Sequence, residues 1–132
     1  ASDIEFTNEG KKHKIYHSKP NKFTTPAFNY DEVEKPPNNS ILLASSKVNK
    51  FAALHFVVGS SEIWGIQYHP EIPYDYMIKL IRHRSEGLIN KKVFNNEKDI
   101  IKHINFIEKA KSKLSDDDRT CELKNWLNYL KN

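Results

Sequence analysis

A histidine and a glutamate two positions apart carry the clearest potential for chemistry in this sequence. His69 and Glu71 are separated only by Pro70. Side chains two residues apart on an extended chain lie on the same side, so the carboxylate is expected to reach the imidazole. A carboxylate bound to one ring nitrogen fixes the tautomer and leaves the other nitrogen free as a base. The pair therefore predicts the base and its orienting group in a nucleophilic triad.

The tripeptide alone also has a simpler interpretation. His-Pro-Glu is compatible with an exposed turn between a strand and a helix, in which Glu71 favours the N-terminus of the following helix electrostatically. Without further context this second interpretation is the stronger one. The residues on either side of the pair therefore decide between the two.

The residues before His69 predict strands. Pro70 lacks a backbone donor and is expected to end the last of them. The apolar run at 51–58 predicts a strand covered on both faces. Strands are predicted at 3–7, 14–17, 41–45, 51–58 and 63–68, with loops at 18–26 and 34–40 and hairpin turns at 8–10 and 59–62.

The residues after His69 predict helices. One is expected to follow Pro73 and to end or kink at Gly87, and another to span about 97–113. Ser115 and Asp118 resemble a capping box that opens a last helix. An apolar stripe on that helix is expected to dock onto the body of the protein or onto a partner, and it consists of Leu123, Trp126, Leu127 and Leu130.

Composition limits the classes of protein to which the chain can belong. The 132 residues predict one domain with a modest core, and no apolar run predicts a membrane span or a signal peptide, so the cytoplasm is the expected compartment. The net charge of +4 is a weak bias, and the lysines between Lys11 and Lys22 are interpreted as a solvated surface rather than a nucleic-acid site. Cys121 is the sole cysteine, and the six histidines lack zinc-site spacing, so no metal or cofactor is expected.

The stretch around His69 resembles a known family. The heptad Gly65-Ile-Gln-Tyr-His-Pro-Glu71 matches at all seven positions the C-terminal signature of the class I, triad-type glutamine amidotransferases. That family also carries a Ser-His-x-Asp-x-Val segment upstream, for which 28–33 stands here. Asp31 and Val33 match that segment, whereas its first two positions are Phe and Asn in this chain. The resemblance covers roughly residues 27–84.

The resemblance implies both a fold and a reaction. The fold would be α/β, part of a mixed β-sheet flanked by helices, with 1–88 as the C-terminal portion of an amidotransferase domain and 89–132 as a helical extension. A cysteine thiolate would attack the side-chain amide of glutamine, His69 would act as general acid and base, and Glu71 would orient it. Ammonia would pass to a synthase partner or domain. Backbone near Phe28, Tyr30 and Asp31 would help to hold the substrate.

The nucleophile of that family is missing from these residues. No Gly-x-Cys-x-Gly elbow is present, and Cys121 lies in a predicted helix beside Glu122, which is expected to raise the pKa of the thiol. The chain alone is therefore predicted to be inactive and is interpreted as the C-terminal part of a longer enzyme. The alternatives are a non-catalytic binding module with the same fold and a related γ-glutamyl hydrolase. A basic nucleic-acid binder has little support.

An isolated fragment of that kind is expected to aggregate. Apolar strand residues in 51–58 would lack a partner layer if the preceding half of the domain were absent. The check is size-exclusion chromatography and thermal unfolding of the 132 residues. A soluble protein that unfolds cooperatively would contradict the fragment interpretation.

Overall fold

A curled five-stranded sheet and six α-helices make up the fold. The computed structural model describes all 132 residues. The sheet order is β2-β1-β3-β4-β5, and every pairing is antiparallel. The strands are β1 (Ser2–Phe6), β2 (Lys22–Thr25), β3 (Ile41–Ser45), β4 (Ala53–Val58) and β5 (Ser61–Ile66). The helices are α1 (Asn8–Lys12), α2 (Tyr74–His83), α3 (Ser85–Asn90), α4 (Glu97–Lys111), α5 (Asp116–Arg119) and α6 (Cys121–Lys131), with a 3₁₀-helix at Lys14–Tyr16.

The α/β class is confirmed, but a mixed sheet is not present within these residues. Gly59 and Ser60 alone join β4 to β5, and a short loop joins β3 to β4. Connections this short join only antiparallel neighbours, because parallel strands need a crossover of a dozen or more residues. Gly59 has a φ of 59°, a left-handed conformation that glycine adopts without a Cβ clash.

The first strand is confirmed, and the strand predicted at 14–17 is wrong. Residues after Thr7 form α1 and then the 3₁₀-helix, and the returning strand is β2, inside the stretch predicted as a loop. The physical reason is a cap. The Thr7 hydroxyl accepts a hydrogen bond from the Gly10 N–H at 3.0 Å and donates to the Leu42 carbonyl at 2.6 Å. The turn signal Asn-Glu-Gly is therefore the first turn of a helix pinned to β3.

The central and last strands largely agree with prediction. β3 has the predicted bounds, and β5 begins two residues before the predicted strand and ends at Ile66. The expectation that β4 is covered on both faces is wrong at its far end, where Val57 and Val58 are exposed. This end of β4 pairs with β5, which is an edge strand of the sheet.

The helices α2 and α4 are confirmed. The break after α2 falls at Arg84, and Gly87 lies inside α3 instead of ending a helix. The Ser115 hydroxyl accepts from the Asp118 N–H at 3.1 Å, so the predicted cap is present and opens α5. None of the six α-helices combines the length and the apolar composition that a membrane crossing requires.

The helix α6 docks on the body with a different face from the one predicted. The apolar stripe is 37–60% exposed at Leu123, Trp126, Leu127 and Leu130, so its docking onto the body is wrong, and docking onto a partner stays a prediction. The face that contacts the body is partly polar and consists of Cys121, Glu122, Asn125 and Tyr129. Asn125 shows why, because its side-chain amide donates to the Ile15 and His17 carbonyls, each at 2.9 Å.

One hydrophobic core of 18 residues spans the chain from Ile4 to Leu114. It brings β1 and β3 against α2 and α4, with Leu43 and Ile107 fully buried. Residues from both sides of position 88 take part in it. The predicted domain boundary at 88 stays a prediction.

The contact between α1 and β3 gives a test of the fold. A methyl group on Gly10 would overlap the Leu43 carbonyl oxygen, whose partner is the Thr7 N–H at 2.9 Å. Gly10→Ala is therefore expected to lower the free energy of unfolding by about 1–3 kcal/mol. Urea denaturation measures the change.

Gly87→Ala is the matched control, because nothing lies within 4 Å of a Cβ at that position. It is expected to leave stability unchanged or raise it by up to about 1 kcal/mol, since alanine is the better helix former. Equal stability of Gly10→Ala and the unsubstituted protein would contradict the described packing of α1.

Candidate active site

The turn that carries His69 lies between β5 and α2 and is held through its backbone. The Gln67 N–H donates to the Ala52 carbonyl at 2.8 Å, which extends the sheet ladder just past β5. The His69 N–H donates to the Pro26 carbonyl at 2.8 Å, and the His69 carbonyl accepts from the Ile72 N–H at 3.2 Å. Both backbone groups of His69 are therefore satisfied, which fixes the backbone of the turn that carries its side chain.

The imidazole of His69 and the carboxylate of Glu71 are in direct contact. Nδ1 of the ring lies 2.7 Å from Oε1 of Glu71. Because a carboxylate only accepts, Nδ1 carries the hydrogen, and in the neutral ring Nε2 keeps its lone pair. Nε2 makes no hydrogen bond in the structure, and the His69 side chain is 40% exposed. The arrangement supplies an oriented base that is open to an incoming group, and the catalytic roles of both residues stay predictions.

The segment that precedes β3 lies against this turn. The Phe28 ring centroid is 5.9 Å from that of His69. The Asn29 side-chain amide donates to the Gln67 carbonyl at 2.7 Å. Asn29 was interpreted as a departure from the family pattern, and in the structure it ties its segment to the strand end that leads to His69.

The other two predicted substrate residues lie beside a cleft. Tyr30 is 78% exposed, and Asp31 is exposed next to it. Both line a cleft of about 350 Å³ that Gln67 and Tyr68 also line. The structure thus brings Phe28 to the imidazole and brings Tyr30 and Asp31 to the neighbouring cleft. Their contact with a substrate stays a prediction.

The thiol of Cys121 takes no part in this arrangement. Its Sγ–H donates to the His17 carbonyl at 2.9 Å, and its Sγ accepts from the Asn125 amide at 3.3 Å. Burial raises the pKa of the thiol, and the Glu122 carboxylate raises it further. The predicted effect of Glu122 is present, but burial is the larger cause. Cys121 is therefore a structural residue of α6.

A buried polar network lies directly behind the turn. Lys19 Nζ is 2.6 Å from Glu122 Oε2, and both side chains are almost completely inaccessible. The Tyr68 hydroxyl donates to Glu122 Oε1 at 2.7 Å and lies 2.8 Å from the Tyr16 hydroxyl. Burial lowers the pKa of Lys19, and the Glu122 carboxylate opposes that shift. Burial raises the pKa of Tyr68 well above its usual value, so this hydroxyl stays a donor.

Sequence reasoning missed this network. Lys19 was interpreted as part of a solvated lysine-rich surface, and that interpretation is wrong for this residue. Lys19 and Glu122 are 103 positions apart, so no local periodicity connects them. The nearest signal was Tyr68 inside the heptad.

An arginine contacts the other side of the turn. The Arg119 guanidinium donates through Nη1 to the Pro70 carbonyl and through Nη2 to Asp116 Oδ1 at 3.1 Å. The guanidinium is nearly buried. No group of three or more His, Cys, Asp or Glu side chains converges in a way that could hold a metal ion.

The buried ion pair can be tested by stability. Lys19→Met leaves the Glu122 carboxylate buried without its cation, which is expected to lower the free energy of unfolding by about 3–5 kcal/mol. Adding Glu122→Gln removes the stranded charge and is expected to recover most of that loss. Urea denaturation of both variants measures this.

The exposed pair of Lys111 and Asp75 offers the control, and Lys111→Met is expected to change stability little. A double variant no more stable than Lys19→Met would contradict the description of a charge pair in the core.

Two comparisons with known proteins bear on the site. No family model matches the chain. The chain is 26% identical, over an alignment of 147 residues, to a γ-glutamyl-L-1-hydroxyisopropylamide hydrolase from a Pseudomonas species. The alignment covers 98% of this chain and 49% of that protein, so the chain spans about half the length of the curated relative it matches. The chain is thus distantly similar to a γ-glutamyl hydrolase.

Proposed function

We propose that these residues are the base-carrying half of an enzyme that hydrolyses γ-glutamyl amides. The observation that carries the proposal is the 2.7 Å contact between His69 Nδ1 and Glu71 Oε1, with Nε2 free in the turn between β5 and α2. An imidazole oriented by a carboxylate is the general acid and base of acyl transfer. The distant similarity to a hydrolase of one γ-glutamyl amide supports the same reaction class.

The proposed reaction has two stages. A cysteine thiol gives its proton to His69 and attacks the γ-carbonyl carbon as a thiolate. His69 then returns the proton to the departing amine. Water then gives a proton to the same nitrogen and attacks the thioester carbonyl, the C–S bond breaks to release glutamate, and the proton returns to the cysteine sulfur. Glu71 stabilises the imidazolium that forms in each stage. With glutamine the amine is ammonia, which a synthase partner or domain would receive.

The nucleophile in this proposal lies outside these 132 residues. Cys121 is buried, and its thiol is hydrogen-bonded to the His17 carbonyl and to the Asn125 amide. Burial disfavours its thiolate form. We also propose that the complete enzyme has the amidotransferase fold and is located in the cytoplasm. The sequence of residues 65–71 favours glutamine as a substrate, whereas the similarity to the Pseudomonas hydrolase favours γ-glutamyl alkylamides.

A non-catalytic binding module is the second candidate function. The specific observation in its favour is that no thiol lies beside His69, since Cys121 contacts a different element. The two functions differ in one respect that can be measured. Only the enzyme releases glutamate.

The test uses the complete gene product that contains these residues. Glutamate release is measured with glutamine and with a γ-glutamyl alkylamide. His69→Ala is expected to lower kcat by about 10²–10⁴-fold, because it removes the general acid and base. Glu71→Gln is expected to cause a smaller loss, because the amide oxygen still accepts from Nδ1.

Two variants serve as controls. His83→Ala removes an exposed histidine near the end of α2, and Cys121→Ser keeps a donor for the His17 carbonyl. Both are expected to keep the unsubstituted rate. Equal rates for His69→Ala and the unsubstituted protein would defeat the role of His69, and a protein that releases no glutamate from either substrate would favour the binding module.

A further inference from the structure

The exposed His69 is flanked by two buried residues. Tyr68 is 3% exposed and Pro70 is fully buried, whereas the His69 side chain is 40% exposed. Each flanking residue makes a hydrogen bond to the C-terminal part of the chain, Tyr68 through its hydroxyl and Pro70 through its carbonyl. The two partners, Arg119 and Glu122, lie three positions apart at the junction of α5 and α6.

The first anchor is the Tyr68 hydroxyl. It donates to Glu122 Oε1 at 2.7 Å, and Glu122 Oε2 is held by Lys19 Nζ at 2.6 Å. Lys19 Nζ also donates to the Arg119 carbonyl at 3.2 Å, which joins the two anchors. All of these side chains are buried, so water does not compete for the bonds.

The second anchor is the Pro70 carbonyl. Arg119 donates to it through Nη1, while Nε and Nη2 donate to Asp116 Oδ1 at 3.3 and 3.1 Å. A planar guanidinium can bind two acceptors in different directions, which a single ammonium group does less well. Asp116 therefore orients the fork, and the fork holds Pro70.

Anchors on both neighbours fix the backbone between them. With Tyr68 and Pro70 held, and with the His69 N–H bonded to Pro26, the direction of the His69 Cα–Cβ bond has little freedom. The imidazole is therefore held within hydrogen-bonding distance of Glu71. Displacement of a catalytic group by about 1 Å lowers rates by about 10²-fold.

We propose that Arg119 and Glu122 are positioning residues, which hold His69 where Glu71 orients it. The inference rests on the proposed function for its kinetic consequence, but the geometry it describes does not depend on turnover. Neither residue belongs to the heptad, and neither touches the reacting atoms. The junction of α5 and α6 thereby acts on the active site indirectly, through Tyr68 and Pro70.

The first experiment substitutes Arg119 in the complete gene product. Arg119→Met is expected to lower kcat by about 10–100-fold and to leave KM within about twofold, since the loss falls on the transition state. Arg119→Lys keeps the charge and is expected to show an intermediate loss. Lys124→Met is the control, because it breaks the Lys124–Asp117 pair on the surface of the same two helices, and it should keep both constants.

The second experiment isolates the Tyr68 anchor. Lys19→Met/Glu122→Gln and Lys19→Met/Glu122→Leu both neutralise the buried pair, but only glutamine keeps an acceptor for the Tyr68 hydroxyl. The leucine variant is expected to lose about 10-fold more in kcat than the glutamine variant. Equal kcat in the two variants would overturn the role of Glu122.

A spectroscopic measurement separates positioning from general stability and from catalysis. A proton on His69 Nδ1 bonded to Glu71 gives a strongly downfield NMR signal, which His69→Ala identifies. The signal is expected in the unsubstituted protein and in Lys124→Met. The signal is expected to be lost in Arg119→Met, measured at temperatures where thermal unfolding shows that this variant is folded. If Arg119→Met does not fold, the same measurement is made on Arg119→Lys.

The outcomes distinguish the two claims. Full activity of His69→Ala defeats the proposed function, while loss of the NMR signal in folded Arg119→Met still supports positioning. A folded Arg119→Met or Arg119→Lys that keeps both the signal and the kcat of Lys124→Met overturns the role of Arg119.

Discussion

The buried ion pair of Lys19 and Glu122 is the interaction on which the arrangement of this protein depends. Two charges removed from water are tolerated only when each finds partners, because desolvation of an unpaired charge is severely unfavourable. Here Glu122 accepts from Lys19 and Tyr68, and Lys19 also donates to the Arg119 carbonyl. These requirements bring together the loop after the 3₁₀-helix, the turn after β5 and the start of α6.

This constraint explains which face of α6 contacts the body. Its apolar stripe would be buried if apolar area alone decided the orientation, at about 25 cal/mol per Å². Burial of Glu122 fixes the opposite choice, because Cys121 and Asn125 follow it onto the body and Trp126 turns outward. The orientation also places Arg119 against the Pro70 carbonyl. A polar contact in the core thus decides both a helix face and the support of the candidate site.

Local patterns in the sequence predicted much of the fold. β3, α2 and α4 follow from apolar periodicity, and the Ser115 cap follows from a hydroxyl three residues before Asp118. The contact of His69 with Glu71 follows from their spacing in an extended turn. These features depend on residues close together in the chain, which is why the sequence alone was sufficient.

The features that could not be predicted depend on distant residues. The hairpin turn predicted at 8–10 is instead the helix α1, because the Thr7 hydroxyl bonds to the carbonyls of β3, and Lys19 is buried by a partner 103 positions away. The hydrogen bond from Arg119 to the Pro70 carbonyl links positions 49 apart. No periodicity within a helix or strand encodes such pairs, so the parts of the site beyond the heptad appeared only in three dimensions.

The proposed function requires His69, oriented by Glu71, to act as the general acid and base for a cysteine that lies outside these residues. The most direct measurement is mass spectrometry of the complete gene product, quenched during turnover of a γ-glutamyl amide and digested to locate the covalent adduct. We expect a γ-glutamyl group on a cysteine other than Cys121, formed in the unsubstituted protein and greatly reduced in His69→Ala. An adduct on Cys121, or equal adduct formation in both proteins, would contradict it.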